Sequence, residues 1–453
     1  MLAATCSELL SFAEWIRATD QHAAYHVLLL ERADRVLSGV EDLPGAQRIH
    51  LADKLERWRY QHLHEHAGQL LPEDEAFIDA LDLAANRLSG REARLPRATR
   101  WAIGDPKWDT RSIQETAALM DPRVPLDHVI RRATDLTDEH FGAVDTAAAL
   151  VPPRRRMLLY APLYVSSECV NFCTYCGFRY PHQIARKHLT VDQVVEQLQI
   201  LRGRSFQHVL LVGGEFPSRT TTAYYKALIE ALRREGAVPS IEIAPQSTAS
   251  YAELVEAGAH GLTLYQETYD EQLYAEYHVR GPKSSYHWRL ESHDRAAEAG
   301  VPRLGFGFLL GLADARRDLV AMLRHAAYLS DRFPDRTLAF GLPRIHETPP
   351  GFQVAYPVAD ADFVRMYCLL RIAFPRAELV LSTREPVALR NRLAKICITQ
   401  MSAGSSTAPG GYQRGAEGLG EQFPVVDQRT PAEVVEWLEA EGLQAAWTLK
   451  PSV

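Results

Sequence analysis

Three of the six cysteines in this 453-residue chain fall within eight residues, in the stretch Cys169-Val170-Asn171-Phe172-Cys173-Thr174-Tyr175-Cys176-Gly177-Phe178. Three thiolates on so short a loop can share one inorganic centre, and that restricts the chain more than any other feature. A zinc site ordinarily recruits four ligands in two pairs. Here no fourth partner is near, because Cys6, Cys368 and Cys397 stand alone and far away. Soft thiolates select iron–sulfur clusters as well as zinc, and a four-iron cluster held by three cysteines keeps one iron open for a small ligand. An open iron implies chemistry; a structural metal or a redox pair is the plainer alternative.

Such a centre needs a sizeable scaffold and a reducing compartment. With 46% hydrophobic and 24% charged residues the chain has the composition of a globular protein with a large core. A net charge of −7 with both signs interspersed argues against nucleic acid or an anionic membrane as the main partner. The N-terminus lacks a basic start followed by an apolar run, and no stretch of about 18 apolar residues occurs, so the expectation is a cytoplasmic protein. Six unevenly spaced cysteines are too few for a secreted disulfide scaffold of this length.

Residues 1 to about 95 read as helices. Leu9, Phe12 and Ile16, then Tyr25, Leu28, Leu29, Ala33 and Val36, then Phe77, Leu81, Leu83 and Leu88 recur at helical spacing, with breaks at Asp42-Leu43-Pro44-Gly45 and Leu71-Pro72. His22 and His26 lie one turn apart, and His62, His64 and His66 are close together, but solvated or capped histidines explain them better than a metal. A boundary is expected near 95–110, at Leu95-Pro96 and Asp105-Pro106, followed by a helical piece over 111–149. From Met157 short apolar runs alternate with amphipathic segments, the rhythm of a parallel sheet wrapped by helices. Strands are expected at 157–165, 208–212, 240–244, 261–266, 303–309, 337–341, 378–382 and 396–401. Helices are expected at 190–203, 219–235, 249–258, 269–278, 284–299, 314–330, 360–374 and 385–393, with Gly236, Gly258 and Gly300 where helices should stop. Eight such strands make a (β/α)8 TIM-type barrel, here an α/β domain over 111–450 with an additional N-terminal all-α region over 1–95.

Functional residues of such barrels collect at the C-terminal ends of the strands. After the first strand comes the cysteine loop, then Gly213-Gly214-Glu215, Gln246, Gln266-Glu267-Thr268, Arg344, Ser382-Thr383-Arg384-Glu385 and Ser402-Ala403-Gly404-Ser405-Ser406. Each has an ordinary reading alone, as loop glycine, loop serine or solvated charge. Their joint placement at one mouth points to a binding site.

The cysteine spacing, with an aromatic residue before the last cysteine, resembles the signature of the radical S-adenosylmethionine (SAM) enzymes. Over roughly 111–450 the chain is similar to the tyrosine lyases that make 2-iminoacetate for the thiazole of thiamine. The pieces that carry the resemblance include Ala161-Pro162-Leu163-Tyr164, Leu211-Val212-Gly213-Gly214-Glu215, Tyr265-Gln266-Glu267-Thr268-Tyr269, Trp288-Arg289-Leu290-Glu291, Ser382-Thr383-Arg384-Glu385, Met401-Ser402-Ala403-Gly404-Ser405-Ser406-Thr407 and Pro409-Gly410-Gly411-Tyr412. The first 95 or so residues are not covered. The resemblance implies a [4Fe-4S] cluster on Cys169, Cys173 and Cys176, with SAM on its open iron. It places Tyr175 and Phe178 near adenine, Gly213, Gly214 and Glu215 near the methionyl amino group, Glu267 near the ribose and Arg289 near the carboxylate. Arg384 and Ser402 match positions that hold the substrate carboxylate in the related tryptophan lyase, with Tyr164 beside them.

The implied reaction is cleavage of the Cα–Cβ bond of L-tyrosine to 2-iminoacetate and p-cresol by way of a 5′-deoxyadenosyl radical. It implies a flavodoxin- or ferredoxin-type electron donor and, as a further partner, a thiazole synthase. A hydrogenase maturase also resembles the barrel, but it carries a second C-terminal cysteine triad, and no cysteine follows Cys397 here. Two other readings stand beside this one. One is a related radical SAM lyase for tryptophan or another aromatic amino acid in secondary metabolism, which the extra N-terminal region favours; the other is a non-catalytic scaffold with a structural cluster.

Overall fold

The computed structural model describes residues 45–65, 78, 81, 82, 84, 85, 88, 97–142, 155–347, 349, 351–413 and 418–448. The chain forms two compact units. One takes the residues up to Arg100 together with Pro245–Ala252 and Ser285–Gly300; the other takes Trp101–Ala244, Glu253–Ser284 and Val301–Val453. The expected helices before residue 45, with His22 and His26, lie outside the described residues, as do His66, Phe77 and Leu83.

In the first unit the helix Gly45–Glu65 buries Leu51, Leu55, Tyr60 and Leu63, while His62 is buried and His64 exposed. Ile78, Leu81, Ala85 and Leu88 are helical and buried at the spacing of one helix face. The single helix expected over 284–299 is two, Tyr286–Leu290 and Ser292–Glu298, with Glu291 between them out of helical geometry. The Glu291 carboxylate is bound by Arg59 and by the Tyr60 hydroxyl at 2.8 Å. Arg97 binds Glu56 at 2.8 Å and Glu298 at 2.6 Å, and the Thr99 hydroxyl donates to Asp294 at 2.6 Å. Arg295 stacks over the rings of Trp288 and Tyr60 at 3.8 and 4.7 Å. The N-terminal helices are thus built around a stretch of chain that the sequence assigns to the barrel.

The second unit holds the barrel. Strands β1 (Arg156–Ser166), β2 (His208–Gly213), β3 (Val238–Glu242), β4 (Gly261–Thr263), β5 (Arg303–Phe306), β6 (Thr337–Gly341), β7 (Glu378–Leu381) and β8 (Gln400–Ser402) are all parallel, and β1 pairs with both β8 and β2 to close the ring. Their near-continuous burial is what strands covered on both faces require. A ninth strand, β9 (Gln444–Ala446), was not expected. It pairs with β1 over Arg156–Leu158, below the stretch Ala161–Ser166 that pairs with β2. Helices start on side-chain caps, Thr190 with Gln193 in a capping box and Asp314 accepting from Arg316 and Arg317. They stop where Gly236 and Gly258 take positive φ, 77° and 108°, which costs glycine nothing. The piece expected over 111–149 is two helices, Arg111–Leu119 and Leu126–Phe141, covering the almost wholly buried helix Asp360–Ala373. Among the described residues no helix is long and apolar enough to cross a membrane.

Candidate active site

The cysteine loop leaves β1 at its C-terminal end and is tied down by backbone from three directions. Val170 donates to the Glu215 carbonyl at 2.9 Å, Phe172 to Arg280 at 3.0 Å, Thr174 to Tyr277 at 3.0 Å and Gly177 to Gln422 at 3.2 Å. There is no space for a side chain at Gly177, where a Cβ would stand 2.5 and 2.7 Å from the carbonyl oxygens of Gln422 and Glu421. Gly214 makes an equally close approach to Glu168 and Cys169. The Asn171 amide completes the lacing, its Nδ2 donating to Glu215 Oε2 at 2.7 Å and its Oδ1 accepting from the Lys283 N–H at 2.9 Å.

Cys169 and Cys176 pack against one apolar cluster formed by Tyr160, Tyr164, Phe178, Leu210 and Val212. Burial pushes the Cys173 thiol up to about 12, opposed by Lys283 and reinforced by Cys176 and Cys169. Burial raises Cys176 as well, with Cys169 adding to it. The three thiols therefore stand within one another's field, and none is in a disulfide. Among the described residues no three histidine, cysteine or acidic side chains close on a single ion. An all-thiolate set of three, fixed by backbone on every side, fits an iron–sulfur cluster.

Above the loop lies a cavity of about 350 Å³ lined by Tyr175, Cys176, Glu242, Tyr265, Glu267, Lys283 and Arg384, with Glu421, Gln422 and Phe423 from the C-terminal segment closing one side. Four of the residues expected to bind cluster, cofactor or substrate, Tyr175, Cys176, Glu267 and Arg384, thus face one space. Glu267 holds a left-handed backbone, φ 73°, a conformation that costs a non-glycine residue about 1 kcal/mol or more and that collects at functional sites. Its carbonyl accepts from Leu309 at 2.8 Å and its carboxylate takes Lys283 at 2.6 Å. His278 Nδ1 faces the Tyr274 carbonyl at 2.7 Å, so its Nε2 accepts from the Tyr175 hydroxyl at 2.8 Å. The Arg384 guanidinium lies 3.3 Å from the centre of the Phe423 ring. Its neighbour Glu385 is taken by Arg344 and His346 instead.

Other expected residues are not among those lining that cavity. Phe178 is buried edge-on to Tyr164, ring centres 6.0 Å apart, in the core under the loop. Tyr164 is buried too and reaches the cavity wall by donating to Gln422 Oε1 at 2.6 Å. Ser402, also buried, accepts from the Thr383 N–H at 3.0 Å, so it braces the turn that carries Arg384. Gly214 and Glu215 support the cysteine loop, and Gly213 ends β2 in register with Ser166. Arg289 belongs to the first unit, where it is buried on the helix Tyr286–Leu290. Sequence reasoning missed Glu242, Lys283, His278 and the Gln422-Phe423 pair. Glu242 ends a strand and was open to the same argument as Glu267, but the strand was placed two residues late; nothing in the sequence marks the others.

Residues 163–326 match the Radical SAM superfamily, and residues 341–444 match the Biotin and Thiamin Synthesis associated domain. The chain is 35% identical over 333 residues to the 2-iminoacetate synthase of Escherichia coli (strain K12), covering 73% of this chain and 85% of that protein. It belongs to the 2-iminoacetate synthase family of radical SAM enzymes. The 2-iminoacetate synthase of Salmonella typhimurium (strain LT2) is 34% identical over 339 residues, 74% of this chain and 86% of that one. Among solved structures, the FeFe-hydrogenase maturase HydG from Carboxydothermus hydrogenoformans superposes with a TM-score of 0.65 at 27% identity, over 95% of this chain and 86% of its own. Membership of the superfamily implies a [4Fe-4S] cluster and SAM, and the three cysteines and the cavity beside Cys176 fit both.

Proposed function

We propose that this enzyme cleaves the Cα–Cβ bond of L-tyrosine to 2-iminoacetate and p-cresol, in the cytoplasm and for thiazole and thiamine synthesis. One observation carries the reading: a single cavity joins the cluster loop at Cys176 to an arginine, Arg384, that stacks on an aromatic ring and has no carboxylate in ion-pair range among the described residues. A planar guanidinium so held is ready to fork onto a substrate carboxylate. Ser402 and Phe423 fix its approach, and Tyr164 and Gln422 form the adjoining wall.

Cys169, Cys173 and Cys176 would hold the cluster, and Tyr175, Glu267 with Lys283, and Glu215 would border SAM. When bound, these groups supply one-electron cleavage of SAM and hydrogen-atom abstraction from the substrate. The chain's own part is to orient the amino acid and to exclude water, which is positioning rather than acid–base work. A flavodoxin- or ferredoxin-type donor would supply the electron.

The test is anaerobic reconstitution with iron and sulfide, followed by product analysis with tyrosine and tryptophan separately. Tyrosine should yield p-cresol and 2-iminoacetate. Products from tryptophan alone would replace this substrate, and a wild-type cluster content in the Cys169, Cys173 and Cys176 triple alanine variant would remove the cluster assignment.

A further inference from the structure

Gln422 closes one side of the mouth cavity, and its backbone is held on both flanks. Its N–H donates to the Thr407 carbonyl at 3.2 Å, and its own carbonyl accepts from the Gly177 N–H of the cysteine loop at 3.2 Å. The Thr407 hydroxyl donates to the following carbonyl, that of Phe423, at 2.7 Å. From this fixed base the side chain reaches β1, where its Oε1 accepts from the Tyr164 hydroxyl at 2.6 Å.

That last bond decides which way the amide faces. Tyr164 is buried, and its phenol is raised well above its ordinary range, first by burial and then by Glu242, against a lowering by Arg384. The phenol therefore keeps its proton, and Gln422 is its one hydrogen-bond partner among the described residues. Leaving a buried donor without an acceptor costs about 1–3 kcal/mol, so the proton goes to the amide oxygen. The amide nitrogen, with two N–H groups, is turned away from Tyr164 and has no hydrogen-bond partner among the described residues. The next residue, Phe423, carries the Arg384 guanidinium 3.3 Å from its ring centre.

One short segment thus brings a flat cation and a pair of neutral donors to the same cavity. A carboxylate offers about four lone-pair sites, and an arginine fork fills two of them. We propose that Gln422 is a substrate-contact residue whose amide N–H groups bind the carboxylate of the amino acid on the side that the Arg384 fork leaves open, with Tyr164 as the positioning residue that sets the amide. The proposal rests on the amino-acid lyase reading and deepens it. A fork alone leaves the carboxylate free to slide and tilt in the guanidinium plane, and a second donor off that plane fixes where the attached carbon, and with it the amine, comes to lie.

The experiment is calorimetric titration of anaerobically reconstituted, SAM-loaded protein with L-tyrosine and with tyramine, which lacks only the carboxylate. Wild type should prefer tyrosine. Gln422→Met should weaken tyrosine by on the order of tenfold, the range for one hydrogen bond to a charged group, and leave tyramine as it was. Gln422→Glu keeps an oxygen for the Tyr164 hydroxyl but sets an anion beside the substrate carboxylate. Tyrosine should weaken further in it while tyramine binds as before or tighter. Tyr164→Phe frees the amide to turn and should weaken tyrosine by less; in the Gln422→Met background it should add nothing, because it acts through Gln422. Wild-type cluster content certifies the fold of each variant, and Gln422→Glu decides alone if Gln422→Met fails that check. Unchanged tyrosine binding in the Gln422 variants overturns the assignment. So does equal weakening of tyrosine and tyramine, which would put the amide on the ring, and so does a fall in SAM affinity with tyrosine binding kept, which would put it on the cofactor. An additive loss in the double variant overturns the role of Tyr164, and a wild type that binds both ligands alike overturns recognition of the carboxylate altogether. If wild type binds tryptophan and not tyrosine, tryptophan and tryptamine form the same pair, so the tyrosine reading can fail while the Gln422 assignment is still decided. Binding of neither amino acid overturns both.

Discussion

In the first unit Arg59 and Glu291 are both wholly shielded from solvent and bound to each other, and Arg97 is shared between Glu56 and Glu298. At the mouth of the barrel, in the second unit, Arg384 rests on the Phe423 ring at the edge of an open cavity, with no carboxylate in ion-pair range among the described residues. Both regions take charge out of water, at a cost of several kcal/mol per ion unless it is matched. In the first the protein supplies the match itself, and the result holds chain segments together. In the second the counter-charge to Arg384 is left to whatever enters. Buried charge closed on itself reads as architecture, and buried charge facing a cavity reads as recognition.

The comparison breaks most visibly on its closed side. Although burial opposes it, Glu291 holds Arg59 above its ordinary range, and Arg59 in turn outweighs burial to bring Glu291 down to about 2. Replacing Arg59 by Met should strand Glu291 and cost about 3–5 kcal/mol of stability, read from the denaturant midpoint of the cluster-loaded protein. Replacing both by Met should recover most of that, because packed apolar side chains are an adequate substitute for a buried pair. A single variant within about 1 kcal/mol of wild type would mean that the pair is relaxed by water and that the contrast is overdrawn.

The open side should respond in rate rather than in stability. Arg384→Lys keeps the charge but loses the fork and the flat stacking on Phe423, so the substrate carboxylate shifts by an ångström or so. Product formation with tyrosine should fall about a hundredfold while cluster content and slow SAM cleavage persist. Unchanged product yield per SAM consumed would show that Arg384 only trims the barrel rim.

The barrel was legible because parallel strands buried on both faces announce themselves as apolar runs, and the helices between them carry caps and stop glycines. Errors fell where local and tertiary signals part. The last strand was expected at 396–401, but Ile396 ends the preceding helix and Cys397 and Ile398 fill a buried turn, leaving only Gln400–Ser402 to pair. The three-residue β9 and the helix Pro431–Ala440 before it were not expected at all. At the site, the cysteine loop, Glu267 and Arg384 were legible from motif and strand end. Lys283 was not, since its link to Glu267 spans sixteen residues and exists only once the chain has turned back. Phe178 and Ser402 do not line the cavity, because which way a side chain points at a barrel rim depends on the bulge between Tyr164 and Ser166 and on neighbouring strands. The partnership of the first unit with 285–300 was invisible for the same reason.

Asp318 offers the finest probe of the comparison, because it is a buried carboxylate of neither kind. It has no cation partner in ion-pair range among the described residues and does not line the mouth cavity. It accepts from the Tyr269 N–H at 2.8 Å and from the Thr268 hydroxyl at 3.1 Å, and so pins the turn that carries the left-handed Glu267. Burial raises it from 3.8 to about 7, against the pull of those two hydrogen bonds. The folded protein therefore binds this proton more tightly than the unfolded chain does. Its stabilising contribution is complete below the ordinary carboxylate range and is lost as pH rises through about 7. Between pH 6 and pH 8 the loss amounts to about 1.4 kcal/mol, one pH unit's worth of linkage. Asp318→Asn mimics the protonated acid and keeps an oxygen for the Tyr269 N–H. Its stability should match wild type only below the ordinary carboxylate range, should already exceed it at pH 6, and should exceed it by about 1.4 kcal/mol more at pH 8, with the wild-type decline over that interval removed. Parallel stability curves for the two proteins across that range would mean that Asp318 is ionised throughout, and that the fold tolerates a third way of burying charge that neither region displays.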